Sequence, residues 1–165
     1  METAVAPLLY GLVKWLHVLL AVAALGATAT YGIWIRRSAR SPEHLAHVLR
    51  TVTFIDDRMT LPAYLLVLVT GAILMGLEPA LRVPPPWLLI SIALYVVALA
   101  LAAGMARPAL RRQIEAAERA GADSEAYRLA AAQQRQLMAI VVVLVAVIVF
   151  LMVNKPNFGL AAARL

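Results

Sequence analysis

One histidine stands out among the residues of this sequence that could do chemistry. His17 lies early in a long apolar stretch, where an ionisable side chain is costly and usually faces other helices or a cavity. Small and polar side chains continue the same helix face at spacings of three and four residues: Leu20, Ala21, Ala24, Thr28 and Tyr31. Such a face allows close helix packing or leaves room for a flat cofactor. We therefore expect His17 to ligate a metal, as in haem, or to hydrogen-bond to a neighbouring helix as a neutral imidazole, or to lie near enough to the surface to be solvated.

A haem held among helices needs a second ligand or an open coordination position opposite the histidine. Residues that we expect at the same depth are Met75, Met152 and Lys155. Each has an ordinary alternative, since methionine fills gaps in helix packing and Lys155 can extend its amino group to the headgroups. His17 is thus the predicted metal ligand, and together with these three residues it makes up the predicted cofactor-binding set.

Two other groups of titratable residues are more ordinary. Asp56, Asp57 and Arg58 could relay protons or bind a cation, but a mutually neutralised cluster at a membrane boundary is the more common finding. His44 and His47 share a helical face, yet no acidic or cysteine partner follows at ligand spacing, so we expect solvated histidines there. No G-x-S-x-G, Walker loop or H-E-x-x-H occurs, which removes most catalytic classes and leaves open whether the protein is an enzyme.

The composition of the chain requires a membrane. Of the 165 residues, 63% are hydrophobic and 15% are charged, and the mean hydropathy is +0.83. No water-soluble domain of this length could fold with this composition without exposing large apolar patches. The absence of cysteine excludes disulfides, thiolate metal sites and iron–sulfur clusters. The net charge of +6 comes from residues that flank apolar segments, so we expect the lipid bilayer and not nucleic acid as the partner.

Four stretches without formal charge are long enough to cross a hydrocarbon core of about 30 Å as helices. They are residues 15–35, 59–77, 87–105 and 137–153. Because lipid offers the backbone no hydrogen-bond partners, each must be helical. The sequence predicts an all-α integral membrane four-helix bundle that forms a single domain over residues 1–165.

The orientation of this bundle follows from its lysines and arginines. Residues 36–58 and 107–135 carry eleven of them, and four lie elsewhere: Lys14, Arg82, Lys155 and Arg164. Basic residues in short loops resist translocation, so both long connections are predicted to be cytoplasmic and both termini to lie outside. We expect a multi-pass protein of the bacterial inner (cytoplasmic) membrane.

The cytoplasmic connections are predicted to be long helical extensions. Ser41 and Pro42 can start a helix, Gly121 can end one, and Asp123 or Ser124 can cap the last. Apolar residues recur at helical spacing in the first extension: Leu45, Val48, Leu49, Val52 and Ile55. This stripe needs a covering surface.

Three segments carry a resemblance to a known family. They are Leu12–Gly26, which contains Lys14, Leu16 and His17; Asp57–Gly71, with Arg58, Thr60, Leu61, Pro62 and Thr70; and the run Met152–Pro156. Together they resemble an uncharacterised family of bacterial predicted integral membrane proteins, over most of the chain. More distantly, the histidine early in span one and the Thr-Pro and glycine of span two are similar to HemJ-type protoporphyrinogen oxidases and CopD-like copper proteins.

The distant resemblance implies a four-helix membrane bundle that binds haem b through His17, in a redox or haem-handling role. HemJ-type proteins also use a lysine on the third span, and residues 87–105 contain none, which argues against protoporphyrinogen oxidation. The alternative function is that of a non-catalytic assembly or accessory subunit, because no complete site is present and the bundle offers a large apolar surface to a second copy or to a membrane-protein partner. A small transporter is disfavoured, since it would need intramembrane charges or broken helices at mid-depth and spans three and four offer almost none.

Overall fold

The structure is a computed structural model that describes residues 2–39, 41–81 and 83–156. Across these residues the regular structure is entirely helical. The α-helices are α1 (Glu2–Ser38), α2 (Pro42–Ile55), α3 (Leu61–Leu77), α4 (Pro86–Leu101), α5 (Arg107–Ala120) and α6 (Glu125–Asn154). Three of the basic residues used to predict the orientation, Arg40, Arg82 and Arg164, lie outside the described residues.

Four continuous helical stretches within the described residues are long and apolar enough to cross a membrane. They run over Ala6–Ser38, Glu43–Leu77, Pro86–Ala120 and Glu125–Asn154. The predicted all-α class and the number of spans are therefore confirmed. Helix α1 is longer than predicted, because it begins at Glu2 and continues through Pro7 instead of starting near Trp15.

The chain falls into two compact units. Unit one consists of Met1–Thr28 and Ile55–Pro85, and so contains the first part of α1 together with α3. Before α3, Asp56–Thr60 forms a π-helical turn in which the Leu61 N–H bonds to the Asp56 carbonyl. Pro62 follows directly, and because proline has no N–H to continue the α-helical pattern, the wider turn carries the helix past it.

Unit two consists of Ala29–Phe54 and Pro86–Leu165. A second π-helical turn, Ala102–Ala106, joins α4 to α5 and again lies just before a proline, Pro108. Helix α5 ends at Gly121, whose φ of +84° suits glycine, and the Ser124 hydroxyl accepts a hydrogen bond from the Tyr127 N–H at 3.2 Å to cap α6. Helix α6 then packs along both α4 and α5.

The apolar stripe of α2 is buried within unit two. Leu45, Leu49 and Val52 are each at most 3% exposed, and an ion pair between Arg50 and Glu118 joins α2 to α5. The prediction that this stripe is covered is therefore confirmed for these three residues, while Val48 and Ile55 are half-buried. At about 1.5 Å per residue, the 35-residue helix Glu43–Leu77 is about 52 Å long, well beyond the hydrocarbon thickness of about 30 Å. Which side of the membrane receives the excess length stays a prediction.

Candidate functional site

His17 is hydrogen-bonded across unit one. Its Nδ1 atom lies 2.9 Å from the hydroxyl oxygen of Thr70 on α3, and the imidazole is half-buried. The histidine therefore faces a neighbouring helix with at least part of its ring. This hydrogen bond is one of the two arrangements expected for an ionisable side chain in an apolar span.

The surroundings of Thr70 indicate which ring nitrogen of His17 carries the proton. The Thr70 hydroxyl lies 2.7 Å from the carbonyl oxygen of Leu66 and 3.1 Å from that of Val67. A hydroxyl has one proton, and these carbonyls can only accept it, so the threonine oxygen is left to accept from the histidine. We infer that Nδ1 donates to Thr70 and that Nε2 of the neutral ring carries the lone pair.

Gly71 allows His17 to come this close to α3. A Cβ atom at position 71 would lie 3.3 Å from Cε1 of His17 and 3.8 Å from its Nδ1, which is tight for the first of these contacts. The edge of the imidazole therefore rests on the α3 backbone beside the threonine that binds it. Thr70 and Gly71 together position the ring, one by hydrogen bonding and the other by having no side chain.

A second hydrogen bond joins the same two helices. The Thr28 hydroxyl donates to the Ala24 carbonyl at 2.8 Å, so its oxygen can accept from the Tyr64 hydroxyl, 3.2 Å away. Thr28 follows His17 by eleven residues, which is close to three full helical turns, so both lie on one face of α1. Two residues of the predicted small and polar face, His17 and Thr28, thus contact α3 in unit one.

The predicted second ligands, Met75, Met152 and Lys155, stay predictions. Met75 is half-buried on α3, five residues beyond Thr70 and so about 140° around the helix from it. In unit two, Met152 is half-buried near the end of α6, and Lys155 follows α6 with a φ of 46°. The Lys155 amino group lies 5.8 Å from the centre of the Trp87 ring, an arrangement typical of a cation–π contact.

The other titratable groups do not form a metal centre. Asp56, Asp57 and Arg58 lie in the π-helical turn before α3, and each takes part in a polar or electrostatic interaction. His44 and His47 are exposed on α2, with the His44 ring 3.9 Å from the Glu43 carboxylate. Throughout the described part of the chain, no three His, Cys, Asp or Glu side chains come close enough to hold a metal ion.

Sequence reasoning missed the roles of Thr70 and Tyr64. Thr70 entered it only within the segment that resembles the family, and Tyr64 was not singled out. The available signal was a hydroxyl side chain inside a charge-free span. Because lipid offers it no hydrogen-bond partner, such a hydroxyl must find one within the protein. Which partner it finds depends on how the two helices are aligned, and the sequence of one span does not contain that information.

Comparison with known proteins places the chain in a family. No curated protein and no solved structure matches it significantly. The family described as "Predicted integral membrane protein (DUF2269)" matches residues 11–156, a segment that includes His17, Thr70 and Lys155. The similarity to HemJ-type and CopD-like proteins stays a prediction. The chain belongs to the DUF2269 family of predicted integral membrane proteins.

Proposed function

We propose that this membrane protein binds haem b, or a closely related porphyrin, through Nε2 of His17. The observation that carries the proposal is the hydrogen bond from His17 Nδ1 to Thr70. Metal-ligating histidines generally donate their second ring N–H to an oxygen acceptor, which fixes the tautomer and the plane of the ring. Thr70 supplies that acceptor, and Nε2 keeps the lone pair that iron requires.

The residues present fit one axial ligand. His17 is the only histidine in the four charge-free spans. Ala21 and Ala24, one and two turns later on the same face of α1, have small side chains that occupy little space. Met75, Met152 and Lys155 remain the proposed candidates for a second ligand.

Each residue has a distinct task in this proposal. His17 would bind the group, Thr70 orients the imidazole as a hydrogen-bond acceptor, and Gly71 lets the ring approach the α3 backbone. When bound, haem would supply one-electron redox chemistry, with a potential set by its axial ligand and by the dielectric around it.

The test is an absorption spectrum of the protein purified without added haem. We expect a Soret band that is lost in His17→Ala and kept in His47→Ala, a matched control because His47 is an exposed histidine outside the charge-free spans. Thr70→Val should keep the band but change the reduction potential of the bound iron, since it removes only the orienting acceptor. A wild-type protein that shows no Soret band even after titration with haem would contradict the proposal.

A second candidate function is that of a non-catalytic assembly or accessory subunit. It is favoured by the fact that His17 already has a hydrogen-bond partner, so that the polar groups of α1 and α3 can serve helix packing alone. The apolar surface would then bind another membrane protein or a second copy of this chain. Co-purification of a stoichiometric partner with a spectrum free of haem would support this function over the first.

We further infer that the protein lies in the bacterial inner membrane with both long connections in the cytoplasm and both termini outside. The support is the distribution of basic residues, eleven within residues 36–58 and 107–135 against four elsewhere. Under this orientation His17 lies toward the external leaflet.

A further inference from the structure

Charge is sorted along the hairpin formed by α5 and α6. Four arginines, which we call the boundary arginines, adjoin the uncharged residues 86–106 and 136–154: Arg107, Arg111, Arg112 and Arg135. The acidic residues of the hairpin lie farther toward the turn that joins its helices: Glu115, Glu118, Asp123 and Glu125. The end of the hairpin next to the apolar segments is therefore strongly positive, and the turn is not.

The boundary arginines of the two helices lie at the same level. Ala106 and Ala109 are buried together with Leu137, which sets α5 and α6 side by side at this point. Just beyond them, the Arg112 guanidinium lies 3.5 Å from the side-chain oxygen of Gln133. Arg135 is two residues from Gln133, at nearly the same height but on almost the opposite side of α6, so the positive charges of both helices form a belt around the hairpin at the end of the apolar segments.

Three of the boundary arginines are exposed and lack acidic partners. Arg111, Arg112 and Arg135 are all exposed, whereas Leu110 and Gln113 beside them on α5 are buried. Within the described residues, no carboxylate lies at salt-bridge distance from these three arginines. Glu118, one of the acidic residues of α5, is instead paired with Arg50 of α2. The charges of Arg111, Arg112 and Arg135 are therefore available to a partner outside the hairpin.

We propose that the boundary arginines bind the phosphate groups of anionic phospholipids. They lie where an uncharged span gives way to charged helix, which is the depth of the headgroups. Guanidinium groups bind phosphate through two parallel hydrogen bonds, and basic residues close to a membrane surface favour anionic over zwitterionic lipid. Binding of a water-soluble anion would not require the net positive charge to be concentrated at this depth and absent from the turn.

Two double variants of the full chain provide a matched test. Arg111→Gln with Arg135→Gln removes one boundary arginine from each helix. Arg119→Gln with Arg128→Gln removes one exposed arginine from each helix nearer the turn. Binding of phosphatidylglycerol, relative to phosphatidylcholine, is measured by native mass spectrometry of protein in neutral detergent. At about fivefold per arginine, the boundary variant should lose about 25-fold in preference, and the control variant should lose little.

Two further measurements separate headgroup binding from misfolding of the variant and from binding of a soluble phosphate. Raising the salt to 1 M should weaken phosphatidylglycerol binding by the unaltered protein, because the Debye length falls to about 3 Å. This readout remains if the boundary variant fails to fold. Soluble glycerol phosphate should not displace the lipid. The proposal is overturned if the unaltered protein shows no preference for phosphatidylglycerol, if both double variants lose it equally, or if glycerol phosphate competes as well as the lipid.

Discussion

Replacing Leu49 by alanine tests the packing of α2 in unit two. Leu49 is 0% exposed, so the substitution leaves a cavity and removes its apolar contacts. Substitutions of this type cost about 2–5 kcal/mol, and we expect about 3 kcal/mol for a site buried on all sides. For a chain of this size each kcal/mol lowers the melting temperature by about 2–4 °C. Thermal unfolding in detergent should therefore shift downward by about 6–12 °C.

The matched control is Leu129→Ala on α6. Leu129 belongs to the same unit and undergoes the same chemical change, but its side chain is 65% exposed. A substitution of this kind away from the core usually changes stability by no more than about 0.5 kcal/mol. Equal shifts for the two variants would refute the reasoning. They would mean that α2 lies loose on the membrane surface, with its apolar side turned toward lipid.

Three other predictions follow from single contacts. Gly76→Ala should stabilise α3 by up to about 1 kcal/mol through helix propensity, because nothing lies within 4 Å of its new Cβ. Gly71→Ala should leave the protein about 1–3 kcal/mol less stable than the Gly76 variant, because the new Cβ displaces the ring of His17. Melting curves of the two variants test this difference. A double-mutant cycle of Tyr64→Phe with Thr28→Val should give a coupling energy of about 0.6 kcal/mol. A coupling energy of zero would contradict a stabilising hydrogen bond between these two side chains. Ser124→Cys, in a chain without native cysteine, should resist impermeant thiol reagents applied to intact cells, and labelling would reverse the predicted orientation.

The parts of the fold that the sequence predicted are those set by local chemistry. Charge-free length was enough to identify each span, because the bilayer imposes a minimum length and leaves the backbone no alternative to a helix. The ends of several helices also followed from single residues: α2 begins at Pro42, α5 ends at Gly121, and Ser124 caps α6. The periodic burial of Leu45 and Leu49 needed only the helical repeat.

The parts that could not be predicted depend on how helices align. Nothing local distinguishes a proline that kinks a helix from one accommodated by a π-helical turn, as Pro62 and Pro108 are. For the candidate site, the sequence identified His17 as a polar group that needed a partner. It did not identify Thr70 as that partner, because the pairing of residues 53 positions apart depends on the register between α1 and α3.

The two hydrogen bonds between α1 and α3 both end on a threonine hydroxyl, which lies on α1 in one bond and on α3 in the other. Comparing them distinguishes a contribution to helix packing from a capacity to bind a metal. Each threonine is held by a carbonyl of its own helix, so Thr28 accepts from Tyr64 of α3 and Thr70 accepts from His17 of α1. A phenol that donates its proton in this way has no nitrogen left for iron, whereas the imidazole keeps Nε2. The Tyr64 pair therefore measures what such a bond contributes to helix packing alone. Adding haem should increase the loss of stability caused by replacing His17 and leave the loss caused by replacing Tyr64 unchanged. A ligand stabilises the folded protein only as far as it binds, and only the His17 variant would lose that binding.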